Sequence, residues 1–188
     1  LAVAAANYSK QRGKVYVYYG SDGGLTGTTP DWTAQGNAEG DFFGYSLAGA
    51  GDVNGDGYAD LAVSAVHANS DYGEVYLFLG SSTGLSSTPD WSATGETTSG
   101  LFGGSLAGMG DVNGDGYADL AVAAPEYDGK RGKVYVYHSV AGVLSAAPVW
   151  AVEGETGNNY FGFSIAGAGD VNGDGYADLA IGAYGYGG

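Results

Sequence analysis

Cysteine is absent, so no disulfide can staple this chain and no thiolate can hold a metal. Any added rigidity must come from another source. Basic residues are scarce: six Lys and Arg stand against 21 Asp and Glu, a formal net charge of −15 over 188 residues. Nucleic acid and anionic membranes recruit basic surfaces, so neither is expected as a partner. No apolar run approaches the roughly 20 residues of a membrane-spanning helix, so no membrane insertion is expected. Helical periodicity is missing throughout. What the chain has in plenty is glycine, 37 residues without the triplet period of collagen, and tyrosine, 16 residues suited to strands and turns.

The glycines and tyrosines fall in an internal repeat. Asp52-Val53-Asn54-Gly55-Asp56-Gly57-Tyr58-Ala59-Asp60 returns unchanged at Asp111–Asp119 and Asp170–Asp178, a period of 59 residues. Phe43-Gly44, Phe102-Gly103 and Phe161-Gly162 keep that period, as do Trp32, Trp91 and Trp150. Gly13–Tyr18 recurs as Gly73–Phe78 and Gly132–Tyr137.

Each unit reads as four short strands. Phe43–Ala50 leads into the acidic nonapeptide. Leu61–Ala65, small and apolar, suits a strand buried on both faces. Glu74–Leu79 alternates aliphatic and aromatic residues, as a sheet packed between neighbours requires. A fourth strand surrounds Asp90–Ala93, after the turn-rich Gly80–Pro89 segment. Four strands per unit with glycine-rich turns predict an all-β fold of stacked β-propeller blades; a β-helix or β-sandwich is the alternative. The units run 1–41 (strands two to four), 42–100, 101–159 and 160–188 (strands one and two), all in one propeller segment.

Nine of the 21 acidic residues lie in the three nonapeptides, so the acidity is local. Side-chain oxygens stand at positions 1, 3, 5 and 9, with glycine at position 6. A hard cation such as Ca²⁺ takes six to eight oxygens, and alternate residues of a tight loop can all point inward. In the middle loop the ligand set would be Asp111, Asn113, Asp115 and Asp119 with the backbone carbonyl of Tyr117. Gly116 permits the sharp turn. A solvated Asn-Gly hairpin turn would not need Asp at positions 1 and 9 as well. The Glu at position 12 and the flanking helices of an EF-hand are missing, and Mg²⁺ suits such a cage less well than Ca²⁺.

The run Phe102–Gly108, the Asp111–Asp119 loop and Leu120–Pro125 together resemble an FG-GAP repeat, the blade motif of integrin α-subunit propellers and many bacterial surface proteins. The resemblance covers essentially the whole chain. It implies a calcium ion between the first and second strands of each blade and an extracellular setting. It also carries the ligands over to Asp52, Asn54, Asp56, Tyr58 and Asp60, and to Asp170, Asn172, Asp174, Tyr176 and Asp178, giving three Ca²⁺ sites. Ser64-Ala65-Val66 and Gly182-Ala183-Tyr184 depart from the Gly-Ala-Pro close of the motif.

Other candidates are weaker. Ser46, Ser105 and Ser164 recur in every repeat and lack the Gly-x-Ser-x-Gly elbow, so they read as structural. His67 and His138 occupy non-equivalent positions without a consistent acid partner. Glu96, Glu126, Glu153 and Glu155 offer no reason to choose a glycosidase pair. The three tryptophans suit packing between blades better than sugar stacking. Tyr72, Tyr127, Tyr160, Tyr184 and Tyr186, in variable loops, suit ligand contact. No Arg-Gly-Asp occurs, and Asn7-Tyr8-Ser9 is the single glycosylation sequon.

Leu1–Ala5 and Leu179–Ala183 are the same second strand, so the chain carries four second strands and three each of the others. A longer array or head-to-tail self-association, as a ring or filament, would account for this. The expected function is a non-enzymatic, extracellular, calcium-binding module in adhesion or structural assembly, with a protein or glycan ligand. A lectin is the alternative, and a propeller-fold polysaccharide lyase or hydrolase a third.

Overall fold

The computed structural model describes residues 1–185. Its strands form a series of antiparallel meanders. The first sheet contains β1 (Ala2–Ala5), β2 (Lys14–Val17) and β3 (Trp32–Gln35), in that order. The second contains β4 (Phe43–Gly51), β5 (Asp60–Ala65), β6 (Glu74–Phe78) and β7 (Trp91–Thr94). The third contains β8 (Ser105–Gly110), β9 (Asp119–Ala124), β10 (Lys133–Tyr137) and, after a small hairpin of β11 (Ser139–Val140) and β12 (Val143–Leu144), β13 (Trp150–Glu153). The last pairs β14 (Phe161–Gly169) with β15 (Asp178–Ala183). Four-stranded meanders packed face to face are propeller blades, and the β-helix and β-sandwich alternatives fall away.

Register repeats from blade to blade. Leu61 pairs with Phe78 and Leu77 with Trp91 in the second sheet; Leu120 pairs with Tyr137 and Val136 with Trp150 in the third. The first strand bulges as it enters the acidic loop, between Gly49 and Gly51 in β4 and between Gly108 and Gly110 in β8. A bulge bends the strand and re-aims the chain, which here turns it into the loop.

The core lies between blades, because a thin sheet buries both faces only by stacking. Val15, Val17, Phe43, Leu61, Val63, Tyr76 and Phe78 fill the first junction. Val75, Leu77, Phe102, Leu106, Leu120, Val122 and Tyr135 fill the second. Val134, Val136, Met109 and Ile165 form the third, with Leu179 and Ile181 against them. The small apolar second strands β5 and β9 are buried along their full length, as their composition requires.

The second strands β1, β5 and β9 are each followed by a four-residue turn, at Tyr8–Gln11, Ala68–Asp71 and Tyr127–Lys130. Their central residues are left-handed, with φ of 50° and 59° at Ser9 and Lys10 and 52° and 60° at Asn69 and Ser70. They are coiled connectors, in keeping with the missing helical periodicity.

Candidate metal centre

The three acidic loops fold identically around their first aspartate. In the first loop Asp52 Oδ1 accepts the N–H groups of Gly55 at 2.7 Å and Asp56 at 3.0 Å, while Oδ2 accepts that of Gly57 at 2.8 Å. Asn54 Oδ1 accepts the Asp56 N–H at 3.1 Å, and Asp56 Oδ1 accepts the Tyr58 N–H at 3.0 Å. The same bonds join Asp111 to Gly114, Asp115 and Gly116, and Asp170 to Gly173, Asp174 and Gly175. These are side chains of short reach bonding their own backbone, which holds the loop in a tight coil. Glycine at position 6 lies in the left-handed region in all three, at φ 88°, 90° and 91°, with open space where a Cβ would stand at each. Conformation, not crowding, selects glycine there.

Position 9 has a different task. Asp60, only 2% exposed, accepts the Val53 N–H at 2.8 Å and the Gly80 N–H at 2.7 Å. Asp119, fully buried, accepts the Val112 N–H at 3.0 Å and the Ser139 N–H at 2.8 Å. Each thus ties the loop base to the start of the segment after the third strand. Asp178 accepts the Val171 N–H at 2.8 Å.

Electrostatics separate the two kinds of aspartate. Burial pushes the Asp60 carboxyl up despite its two N–H donors, and the nearby charges of Asp56 and Asp52 push it further. Burial likewise raises Asp119, with Asp115 adding to the rise. Asp111 is held below the usual carboxylate range, because the N–H groups of Gly116, Gly114, Asp115 and Asn113 outweigh its desolvation. Asp170 is lowered chiefly by the Gly175 N–H.

The donor set fits a hard cation. Every side chain offers oxygen, and the carboxylates at positions 5 and 9 of the first loop, Asp56 and Asp60, accept only one and two backbone N–H bonds and keep further lone pairs. The Asn54 amide places its NH₂ 2.9 Å from Asp56 Oδ2, a partial positive charge between two oxygen-bearing side chains. Asn113 and Asn172 do the same with Asp115 and Asp174. Among the described residues no three Asp, Glu or His side chains converge on one point, so a cation there would also need the asparagine and a backbone carbonyl. Tyr58 and Tyr176 are exposed, and the rings of Tyr117 and Tyr176 cover Gly55 and Gly114 of the preceding loop.

A family model for the FG-GAP repeat matches residues 43–78, 102–137 and 161–188, each match containing one of these loops. The chain belongs to the FG-GAP repeat family. Its curated relatives are integrin α subunits. It is 41% identical to integrin alpha-PS2 of Drosophila melanogaster over 163 residues, covering 77% of this chain and 12% of that one. It is 42% identical to mouse integrin alpha-IIb over 157 residues, covering 77% and 15%. With Xenopus laevis integrin alpha-4 it shares 30% over 188 residues, covering 97% and 18%. The chain therefore spans less than a fifth of the length of these relatives. Among solved structures, a rhamnogalacturonan lyase (YesW) superposes with a TM-score of 0.50 at 19% identity, covering 90% of this chain and 33% of that one. At that identity the likeness speaks for the fold alone.

The remaining candidates fall into place around this family frame. Ser105 Oγ accepts the Ile165 N–H of the next blade at 3.2 Å, and Ser64 Oγ accepts the Ser46 N–H at 2.9 Å, both structural. His67 does have an acid partner: Nδ1 lies 2.9 Å from Asp71, four residues on, where the left-handed turn brings them together. His138 Nδ1 stands 3.3 Å from the Asn113 amide on the middle loop, a placement its sequence position does not reveal. Glu96 binds Lys133 at 2.9 Å, and Glu153 binds Arg131 at 3.3 Å and the same Lys133 at 3.7 Å, so the two carboxylates flank one ammonium group. Trp32 and Trp91 are packing residues. Trp32 lies edge-on to Phe78 with centroids 5.0 Å apart and donates to the Ser86 carbonyl at 2.9 Å. Trp91 does the same with Tyr137 at 5.1 Å and the Ser145 carbonyl at 3.2 Å. Tyr160 and Tyr184 cluster with Phe163 on the surface, and Tyr186 lies outside the described residues.

Proposed function

We propose that this chain is a calcium-binding segment of an extracellular β-propeller that acts in adhesion, without chemistry of its own, and that associates through its open blade faces. The observation that carries this reading is the triplicate loop: the same hydrogen-bonded coil of Asp, Asn and Asp occurs three times, each over a buried Asp or its equivalent. In each loop the carboxylates at positions 1, 5 and 9, the Asn oxygen and the position 7 carbonyl would close on one Ca²⁺, three ions in all, drawing together acids that do not otherwise converge on one point. The ion would neutralise the loop carboxylates, whose charges now add to the raised proton affinity of Asp60 and Asp119, and would lock the loop. Loops made rigid in this way present a fixed surface to a protein partner. The names of the relatives, all integrin α subunits, support adhesion as the setting.

Calorimetric titration of the metal-stripped chain with Ca²⁺ tests the reading, alongside melting in millimolar calcium and in chelator. Binding of three ions with a raised melting temperature is expected. Identical melting in both conditions overturns it.

A further inference from the structure

Ser139 is fully buried and bonded to two acidic loops at once. Its N–H donates to Asp119 Oδ1 at 2.8 Å, at position 9 of the second loop. Its hydroxyl donates to the Val53 carbonyl at 2.6 Å, inside the first loop. Val53 in turn donates its N–H to Asp60 Oδ2 at 2.8 Å, at position 9 of the first loop. A single run of hydrogen bonds, from Asp119 through Ser139 and Val53 to Asp60, therefore joins the two buried carboxylates of neighbouring blades. None of these four residues is more than 2% exposed, so water does not stand in for a bond that is lost.

The fold does not demand the hydroxyl. Gly80 holds the equivalent place in the second blade, where its N–H gives Asp60 the matching bond at 2.7 Å and no side chain reaches another loop. Tying position 9 to the segment after the third strand thus needs only a backbone N–H. What the Ser139 hydroxyl adds is a tie between loops.

Two further contacts hold the same pair of loops in step. The Ala118 N–H, at position 8 of the second loop, donates to the Asp52 carbonyl, at position 1 of the first, at 3.0 Å. The turn between β11 and β12 lies against position 3 of the first loop: a Cβ on Gly142 would stand 3.0 Å from the Asn54 carbonyl oxygen. Ser139 begins that hairpin. One element of the third blade therefore touches positions 2 and 3 of the first loop while it grips position 9 of the second.

Among the described residues no three acids converge on one point, so each loop must draw its carboxylates inward to hold an ion. Inward movement of Asp119 pulls on the Ser139 N–H. Through the Ser139 hydroxyl it then shifts Val53, which stands between the candidate ligands Asp52 and Asn54. A close-packed interior has no slack to absorb such a displacement, and buried hydrogen-bond networks pass it on.

We propose that Ser139 is a positioning residue that couples the first and second calcium sites, so that an ion in one raises the affinity of the other. This rests on the calcium reading above and adds cooperativity to it. Coupling between sites is reciprocal, so each must help the other by the same factor. The two blades would then stiffen together, over a narrower range of calcium concentration than independent sites allow.

The test is a Ca²⁺ titration of the full chain, followed through the backbone amide resonances of Gly57 in the first loop and Gly116 in the second. Asp115→Ala disables the second site and should weaken binding in the first about tenfold; Asp56→Ala should weaken the second by the same factor. In a Ser139→Ala background both factors should fall to about threefold or less, the remainder being carried by the Ala118 contact. Ser139→Gly, which copies the second blade, should give the same loss by a second route. Ser64→Ala is the control: that hydroxyl is equally buried and accepts the Ser46 N–H at 2.9 Å, but within one blade and away from the loops. It should lower stability and leave the coupling factor unchanged, which separates coupling from a merely structural loss. The reciprocal factors in the wild-type background test the coupling even if a Ser139 variant fails to fold. Sites that fill independently in that background overturn the proposal, as does a coupling factor that the folded Ser139 variants leave intact. Binding without coupling overturns this inference alone, whereas a chain in which no loop binds calcium overturns the calcium reading with it.

Discussion

The ring of Tyr117 in the second acidic loop lies over Gly55 in the first, so close that a Cβ on Gly55 would stand 2.7 Å from Tyr117 Cε1. Tyr176 covers Gly114 in the same way, at 2.8 Å. Backbone bonds reinforce the contact: the Ala118 N–H donates to the Asp52 carbonyl and the Ala177 N–H to the Asp111 carbonyl, each at 3.0 Å. Neighbouring loops are thus one continuous surface, each resting on the last.

Gly55→Ala meets both a left-handed φ of 74° and the Tyr117 ring, whereas Gly57→Ala meets a φ of 88° and open space. The second substitution should cost about 1–2 kcal/mol from backbone strain alone. The first adds displacement of the ring, another 1–3 kcal/mol or so. Thermal unfolding should rank wild type above Gly57→Ala, and Gly57→Ala above Gly55→Ala.

Asp119→Ala removes the acceptor for two backbone N–H groups, those of Val112 and Ser139. Leaving buried donors unsatisfied costs about 1–3 kcal/mol each. The loss of stability should appear in chelator as well as in calcium. Equal stability to wild type in chelator would show that position 9 serves only a cation.

Asp115→Ala contrasts with it, since Asp115 is exposed and bonds only within its loop. Its effect should be confined to calcium-containing buffer. A site held at about 100 times its Kd contributes about 2.7 kcal/mol. That is a melting shift of roughly 5–10 °C for a chain of this size, lost in the variant and measurable by calorimetry.

Much of this was legible in the sequence, because the repeat compares the chain with itself. The period located the strands to within a residue or two: β4, β5, β6 and β7 begin or end beside the expected Phe43–Ala50, Leu61–Ala65, Glu74–Leu79 and Asp90–Ala93. Alternation of aliphatic and aromatic residues in the third strand foretold burial on both faces. The β11–β12 hairpin was not foreseen, since among the described residues the first sheet has only the single bridge Ser21–Gly24 at that place, and the hairpin depends on the left-handed Ala141 and Gly142. Nor was the pairing of Glu96 with Lys133 visible, because it joins residues of different blades 37 positions apart. His138 beside Asn113 escaped notice for the same reason. Periodicity reports what each repeat is, but only stacking decides which side chains of different repeats meet.

Trp91→Ala should cost about 3 kcal/mol or more, through the lost Tyr137 contact and the cavity left under it. Trp150→Ala, in the dissociated chain, should cost under about 1 kcal/mol, as surface substitutions do. Denaturant midpoints of the two variants check the contrast. Equal losses would mean that Trp150 is already covered.

Each clamped tryptophan packs its ring on Phe78 or Tyr137 but takes hold of the segment beyond through a carbonyl, that of Ser86 or Ser145, and in that segment reads main chain in place of any particular side chain. The segment it grips can therefore drift in sequence while its position stays fixed. Blades joined in this manner are interchangeable parts: a duplicated or exchanged unit arrives with its fastening already compatible. Novelty in recognition then has somewhere to accumulate, in the connecting segments whose side chains the fastening leaves unused.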